Sequence, residues 1–146
     1  MTMLKFQANS KWEKDAPAIK VRIGKHEVII DEPVSAGGSD LGPNPLQYLL
    51  SAFAGCVTIV GKNVARQMGI TLEEISIKVE GDIDTRGFTG QDPSVPKGYQ
   101  EIRLVVSAKA DCPPETLKQW LKTTEEMCPV GNTYKDGVQM QVHLAE

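Results

Sequence analysis

Asn44-Pro-Leu-Gln-Tyr-Leu-Leu-Ser-Ala-Phe-Ala-Gly-Cys-Val-Thr-Ile-Val60 is apolar on nearly every side of a helical wheel. Asn44 can cap orphan amide groups and Pro45 suits the first helical position, so a helix starts here. It can run to about Met68, where Gly69 supplies a left-handed stop. Cys56 then falls near its midpoint. A helix apolar all round is buried on most sides within protein. A chain of 146 residues rarely surrounds such a helix alone, which hints at a homodimer with this helix at its centre. The most apolar part, Leu46 to Val60, is shorter than the ~20 residues of a membrane span and already holds Gln47, Ser51 and Thr58. It reads as a core helix and not as a membrane anchor.

Upstream, Leu4, Phe6, Ala8, Ser10 and Trp12 alternate with polar neighbours, the pattern of a half-buried strand. Ile19, Val21 and Ile23 repeat it, and Val28 and Ile30 resume it after Gly24-Lys25, where glycine suits a type II′ hairpin. From Ser35 to Pro45 the composition is that of a loop. Downstream, Ile75, Ile77, Val79 and Ile83 mark a fourth strand and Ile102, Leu104, Val106 and Ala108 a fifth. The Gly/Pro-bearing loop between them, Thr85 to Gly98, is longer than a hairpin needs, as a loop covering a site or partner would be. Pro113 and Pro114 start a second helix carrying Leu117, Trp120, Leu121 and Thr124, and Pro129 ends it. Val138, Met140, Val142 and Leu144 predict a final strand. The order βββ-α-ββ-α-β favours antiparallel pairing and an α+β architecture. No repeat or linker divides it, so residues 1–146 are expected to form one domain.

Sixteen basic and nineteen acidic residues give a formal charge of -3 with no basic run. That argues against nucleic acid or an anionic membrane as the main partner. The N-terminus lacks the basic and apolar regions of a secretion signal, so a reducing cytoplasm is the expected compartment. There the three cysteines are thiols, and any disulfide is transient or catalytic. Three Cys and two His show no zinc-ligand spacing, and no metal is expected. The glycines of residues 37–42 lack the Gly-Lys-Ser/Thr ending of a phosphate loop.

Cys56 reads as buried mid-helix and Cys128, in Cys-Pro-Val-Gly-Asn-Thr, as a mobile loop residue where the second helix breaks. Two readings stand. Both cysteines are packing residues, or a sulfenic acid on the buried thiol is captured as a disulfide by the mobile one. Burial raises a thiol pKa, so a reactive Cys56 needs a cation from another element or subunit. Gly55 beside it fits either close helix packing or close approach of a ligand. Cys112, before Pro113, reads as structural.

Gly42-Pro-Asn-Pro-Leu-Gln-Tyr-Leu-Leu-Ser-Ala-Phe-Ala-Gly-Cys56, with Cys128-Pro-Val-Gly-Asn-Thr 72 positions on, resembles the OsmC/Ohr family of osmotically inducible and organic hydroperoxide resistance proteins, in its OsmC-like branch. The resemblance implies an intertwined homodimer in which antiparallel sheets wrap long central helices, with active sites at the interface. It implies a peroxidatic Cys56, a resolving Cys128, organic hydroperoxides as substrates, and an external dithiol reductant with no bound cofactor. Family peroxidases activate the attacking thiol with an arginine held by a glutamate. Here Leu46 and Gln47 stand where that glutamate is sought, and Arg22 is the nearest arginine, so Arg22 and Gln47 are the candidate supporting residues, with Lys14 or Lys20 as substitutes for the arginine. The expected function is a cytoplasmic thiol peroxidase. The alternative is a non-enzymatic protein that binds a small apolar ligand on the same fold.

Overall fold

A computed structural model describes residues 2–145. They form β1 (Ala8–Lys11), β2 (Ile19–Ile23), β3 (His26–Ile30), a single 3-10 turn at Val34–Ala36, α1 (Pro45–Gln67), β4 (Thr71–Asp82), α2 (Thr85–Phe88), β5 (Glu101–Asp111), α3 (Pro114–Met127) and α4 (Pro129–Asp136). Two compact units are built from them, residues 1–49 and 50–146, the boundary falling inside α1.

The first unit is an antiparallel three-stranded sheet in the order β1-β2-β3. Ile23 pairs with His26 across Gly24-Lys25, and Gly24 carries the positive φ of +60° that a II′ turn asks of its first central residue. The first strand is shorter than the alternation predicts: Leu4 and Phe6 precede it and Trp12 follows it, all three exposed. After β3 the chain is knotted on Asp31, whose carboxylate accepts the N–H groups of Glu32, Ser39 and Leu41 at 2.8, 3.1 and 3.0 Å. The knot brings Asn44 to the start of α1. There Asn44 Oδ1 accepts the Gln47 N–H and Gln47 Oε1 accepts the Asn44 N–H, both at 2.9 Å, a reciprocal capping box.

The second unit packs the C-terminal part of α1 and α3 on the β4-β5 hairpin, whose antiparallel register runs from Thr71↔Asp111 to Asp82↔Glu101 with a bulge at Leu72/Glu74. Its core is Val64, Ala65, Ile70 and Trp120, flanked by Leu72, Ile75, Val106, Leu117 and the half-buried Cys112. The Trp120 indole N–H donates to the Gly61 carbonyl at 2.8 Å, and a β-carbon on Gly61 would meet Trp120 Cζ2 at 3.0 Å and Ile75 Cδ1 at 3.2 Å. The missing side chain lets α1 and α3 close on each other. α1 ends where expected: Gly69 has a φ of +69°, and Ile70 N–H returns to the Ala65 carbonyl in a Schellman closure. By length and composition alone α1 would suffice to cross a bilayer. Its Gly61, Val64 and Ala65 face is buried in the core instead.

Three expectations need correction. Val138–Leu144 forms no strand: the segment is extended, pairs with no strand among the described residues, and exposes its apolar side chains, Leu144 to 97 %. A period-two pattern earns a strand only when a sheet edge receives it, and this single chain offers none. The class stays α+β with antiparallel sheets, but the order ends in two helices rather than α-β. Second, Pro129 ends nothing beyond α3. It is the first residue of α4, since the missing N–H is harmless there. Third, the long loop before β5 contains the short helix α2, which Asp84 caps by accepting the Arg86 N–H.

Candidate functional site

The α3–α4 corner decides where Cys128 goes. Proline at 129 pushes Cys128 into extended angles, φ -77° and ψ 109°, and so breaks the helix between Met127 and Pro129. Cys128 becomes the N-cap of α4, its sulfur accepting the Gly131 N–H at 3.4 Å. Asn132 Nδ2 donates to the Glu126 and Cys128 carbonyls and tightens the corner. The residue read as a mobile loop thiol is therefore fixed and 1 % exposed. Cys56, read as deeply buried, is the half-buried member of the pair. The expected settings are exchanged because α4 covers Cys128.

Across 72 positions of sequence the two sulfurs come within 3.3 Å as free thiols. That is sulfur–sulfur contact without a bond, and only a small closure separates it from the ~2.05 Å of a disulfide. Cys128 faces a cavity of about 520 Å³ whose other walls include Phe53, Val57, Tyr99, Leu104 and Tyr134. This volume lies in the range of small-molecule sites. Glu125 and Lys135, an ion pair of exposed side chains, line it as well. Phe53 and Tyr134 meet edge to face with centroids 5.5 Å apart at 71°. Gly131 makes room for them: a β-carbon there would stand 3.0 Å from Phe53 Cε2.

Burial pushes the Cys128 thiol above its ordinary pKa; the Gly131 N–H pulls it down and Cys56 pushes it up again. Burial also raises the Tyr134 phenol, with Tyr99 and both cysteines adding to the effect. Among the described residues no three His, Cys, Asp or Glu side chains converge to hold a metal ion.

The two supporting candidates sit in the first unit. Arg22 is exposed on β2, opposite Asn9 and Glu27. Gln47 lies in the first turn of α1 with its carbonyl oxygen engaged in the capping box. Lys20 pairs with Glu27 at 3.7 Å, and Lys14 is exposed just after β1. A β-carbon at Gly55 would meet nothing within 4 Å, so no packing partner within this chain explains that glycine. Sequence reasoning missed the aromatic walls, Phe53, Tyr99 and Tyr134. Tyr134 follows Cys128 by six residues on a helix hidden behind Pro129, and the loop placing Tyr99 has no periodicity to read.

The model of the OsmC-like protein family matches residues 37–143, a span that holds both cysteines. This chain belongs to the OsmC-like family. Solved structures agree in fold along nearly the whole chain. An OsmC-like protein from Mycoplasma pneumoniae superposes with a TM-score of 0.79 at 20 % identity, covering 93 % of this chain and 91 % of that one. The organic hydroperoxide resistance protein OsmC from Legionella pneumophila gives 0.64 at 19 % identity, covering 92 % of each chain. An organic hydroperoxide resistance protein from Elizabethkingia anophelis gives 0.65 at 16 % identity, covering 93 % and 91 %. Comparison with curated proteins gives no match. At these identities the likeness shows the OsmC fold, and the chemistry rests on the residues of this chain.

Proposed function

We propose that this OsmC-like protein is a thiol peroxidase that reduces organic hydroperoxides, with Cys56 attacking and Cys128 resolving. One observation carries the reading: two free thiols 3.3 Å apart, one of them facing an apolar cavity large enough for a small organic substrate. Cys128 suits the second step. Its raised pKa makes it a poor thiolate in the resting protein, and its contact with Cys56 leaves little distance to close.

The Cys56 thiolate attacks the outer oxygen of the O–O bond; an alkoxide leaves and takes a proton as the alcohol, and Cys56 becomes a sulfenic acid. The Cys128 sulfur then displaces the sulfenic hydroxyl as water and forms the disulfide. An external dithiol reduces that disulfide by exchange and is itself oxidised. The balance is one hydroperoxide and one dithiol giving alcohol, water and a disulfide, with no bound cofactor. An apolar cavity favours organic hydroperoxides over hydrogen peroxide.

The working form in this proposal is a homodimer with its sites at the interface, in the cytoplasm. Its support is the uncovered apolar face of α1, where Ile59 is 63 % exposed beside the open Gly55, and the unpaired segment 138–144. The proposed activating cation for Cys56 is Arg22, with Gln47 in support through the helix turn it caps.

Stopped-flow consumption of cumene hydroperoxide with a dithiol tests the reading: wild type should turn over and Cys56→Ser should not. Equal rates for the two would sink it. The alternative, a non-enzymatic protein binding a small apolar ligand, draws on the same cavity. It predicts ligand uptake without a Cys56–Cys128 disulfide after peroxide treatment.

A further inference from the structure

Tyr99 closes the loop before β5 and forms one wall of the cavity that Cys128 faces. Its ring lies directly on the main chain of β4. A β-carbon added at Gly81 would stand 2.6 Å from Tyr99 Cε1 and 2.7 Å from Cδ1, closer than carbon atoms approach. The ring therefore needs a bare backbone at position 81. The next residue holds it there. Gln100 Oε1 accepts the Asp84 N–H at 2.6 Å, and Gln100 Nε2 donates to the Pro96 and Gly98 carbonyls at 3.1 and 2.7 Å. The Gln100 N–H itself donates to the Asp82 carbonyl at 2.9 Å. These bonds clasp the loop on both sides of Tyr99 and fix where it returns to the sheet.

The opposite wall is settled differently, by the edge contact of Phe53 and Tyr134 over Gly131. A cavity between two fixed aromatic walls discriminates by size, because its rings cannot retreat without breaking their seats. We propose that Tyr99, seated on Gly81 and clasped by Gln100, is a specificity-determining residue that limits the bulk of the hydroperoxide reaching the thiol pair. The inference rests on the peroxidase reading for its substrate class, and on Gly81 and Gln100 for its geometry.

A methyl group at position 81 pushes the ring off the strand toward the cavity, and truncation of the ring opens the same space. Apolar pockets separate substrates differing by small groups by about 10- to 200-fold. Gly81→Ala should therefore lower the ratio of kcat/KM for cumene hydroperoxide over tert-butyl hydroperoxide about tenfold, and Tyr99→Ala should raise it. A second readout needs no turnover: the ratio of Cys128 modification rates by N-phenylmaleimide and N-methylmaleimide, resolved by mass spectrometry, should move in the same directions. Ratios within twofold of wild type in both variants overturn the proposal. If the wild type consumes neither hydroperoxide, the peroxidase reading falls and the maleimide ratio alone decides for or against the Tyr99 wall.

Discussion

The indole N–H of Trp120 donates to the main-chain carbonyl of Gly61 at 2.8 Å, a buried bond between helices 59 positions apart in sequence. The carbonyl belongs to the ladder of α1, and the donor comes from the largest side chain of the second unit's core. Closeness and polarity are both satisfied by one glycine. Gly61→Ala should destabilise by about 1–3 kcal/mol through overpacking against Trp120 and Ile75, less the roughly 1 kcal/mol that alanine gains in a helix. Trp120→Ala should cost about 3–5 kcal/mol. Urea titrations give both values, and a neutral Trp120→Ala would refute the assignment of this core.

Residues 44 and 47 make a second prediction. Each side-chain oxygen accepts the other's backbone N–H, so removing Asn44 costs the helix its cap, about 1 kcal/mol. Gln47→Ala should cost less, since it frees only one donor, at an exposed position. If Gln47 acts only as a cap, Gln47→Glu should preserve stability and leave peroxide consumption unchanged. A marked rise in consumption by Gln47→Glu would instead show that position 47 faces a cation near Cys56.

Asp31 is 7 % exposed, and its carboxylate accepts three backbone N–H groups. The Leu41 N–H, ahead of those from Glu32 and Ser39, holds its pKa below the ordinary 3.8 against the opposing effect of burial. A carboxyl depressed in the folded state stabilises above its unfolded pKa, and that contribution is lost as pH falls through the folded value. Asp31→Asn should lower the melting temperature at neutral pH and flatten the acid limb below about pH 4. An unchanged acid limb would show that the loop does not depend on this charge.

How much of this was readable in advance follows from which interactions are local. α1 was legible from Asn44 to Gly69 because cap, proline, apolar run and left-handed stop are all signals within the helix itself. The β2-β3 hairpin was legible for the same reason through Gly24-Lys25. Cys128 was misread because Pro129 breaks one helix and begins the next, and a pre-proline residue looks alike in either role. Val138–Leu144 was misread because alternation reports a surface that can be covered and not the chain that covers it. The contact of Cys56 with Cys128 was invisible to spacing alone; only the family resemblance pointed to it. Tyr99 on Gly81 had no sequence signal, since the pairing depends on where an irregular loop rejoins the sheet.

Cys128 supplies the last prediction, through its pKa. Burial is the main cause that lifts it above the ordinary thiol value of 9.0. At neutral pH Cys128 is therefore almost wholly a thiol, and its thiolate fraction grows about tenfold per pH unit until the raised pKa is reached. Capture of a Cys56 sulfenic acid needs that thiolate. Disulfide closure, followed by stopped flow after one equivalent of peroxide, should accelerate with pH from 7 to 9, while Cys128→Ser stops at a sulfenic acid trapped by dimedone. The same shift acts on stability. An acid whose folded pKa is raised stabilises fully below its unfolded value and loses that contribution as pH climbs through the folded value, so the reduced protein should weaken above about pH 9. Tyr99 and Tyr134, also raised, act in the same direction at higher pH. Serine caps α4 as well as the sulfur does, so Cys128→Ser should keep the fold and reduce this alkaline slope. A closure rate flat from pH 7 to 9 would remove Cys128 from the resolving step.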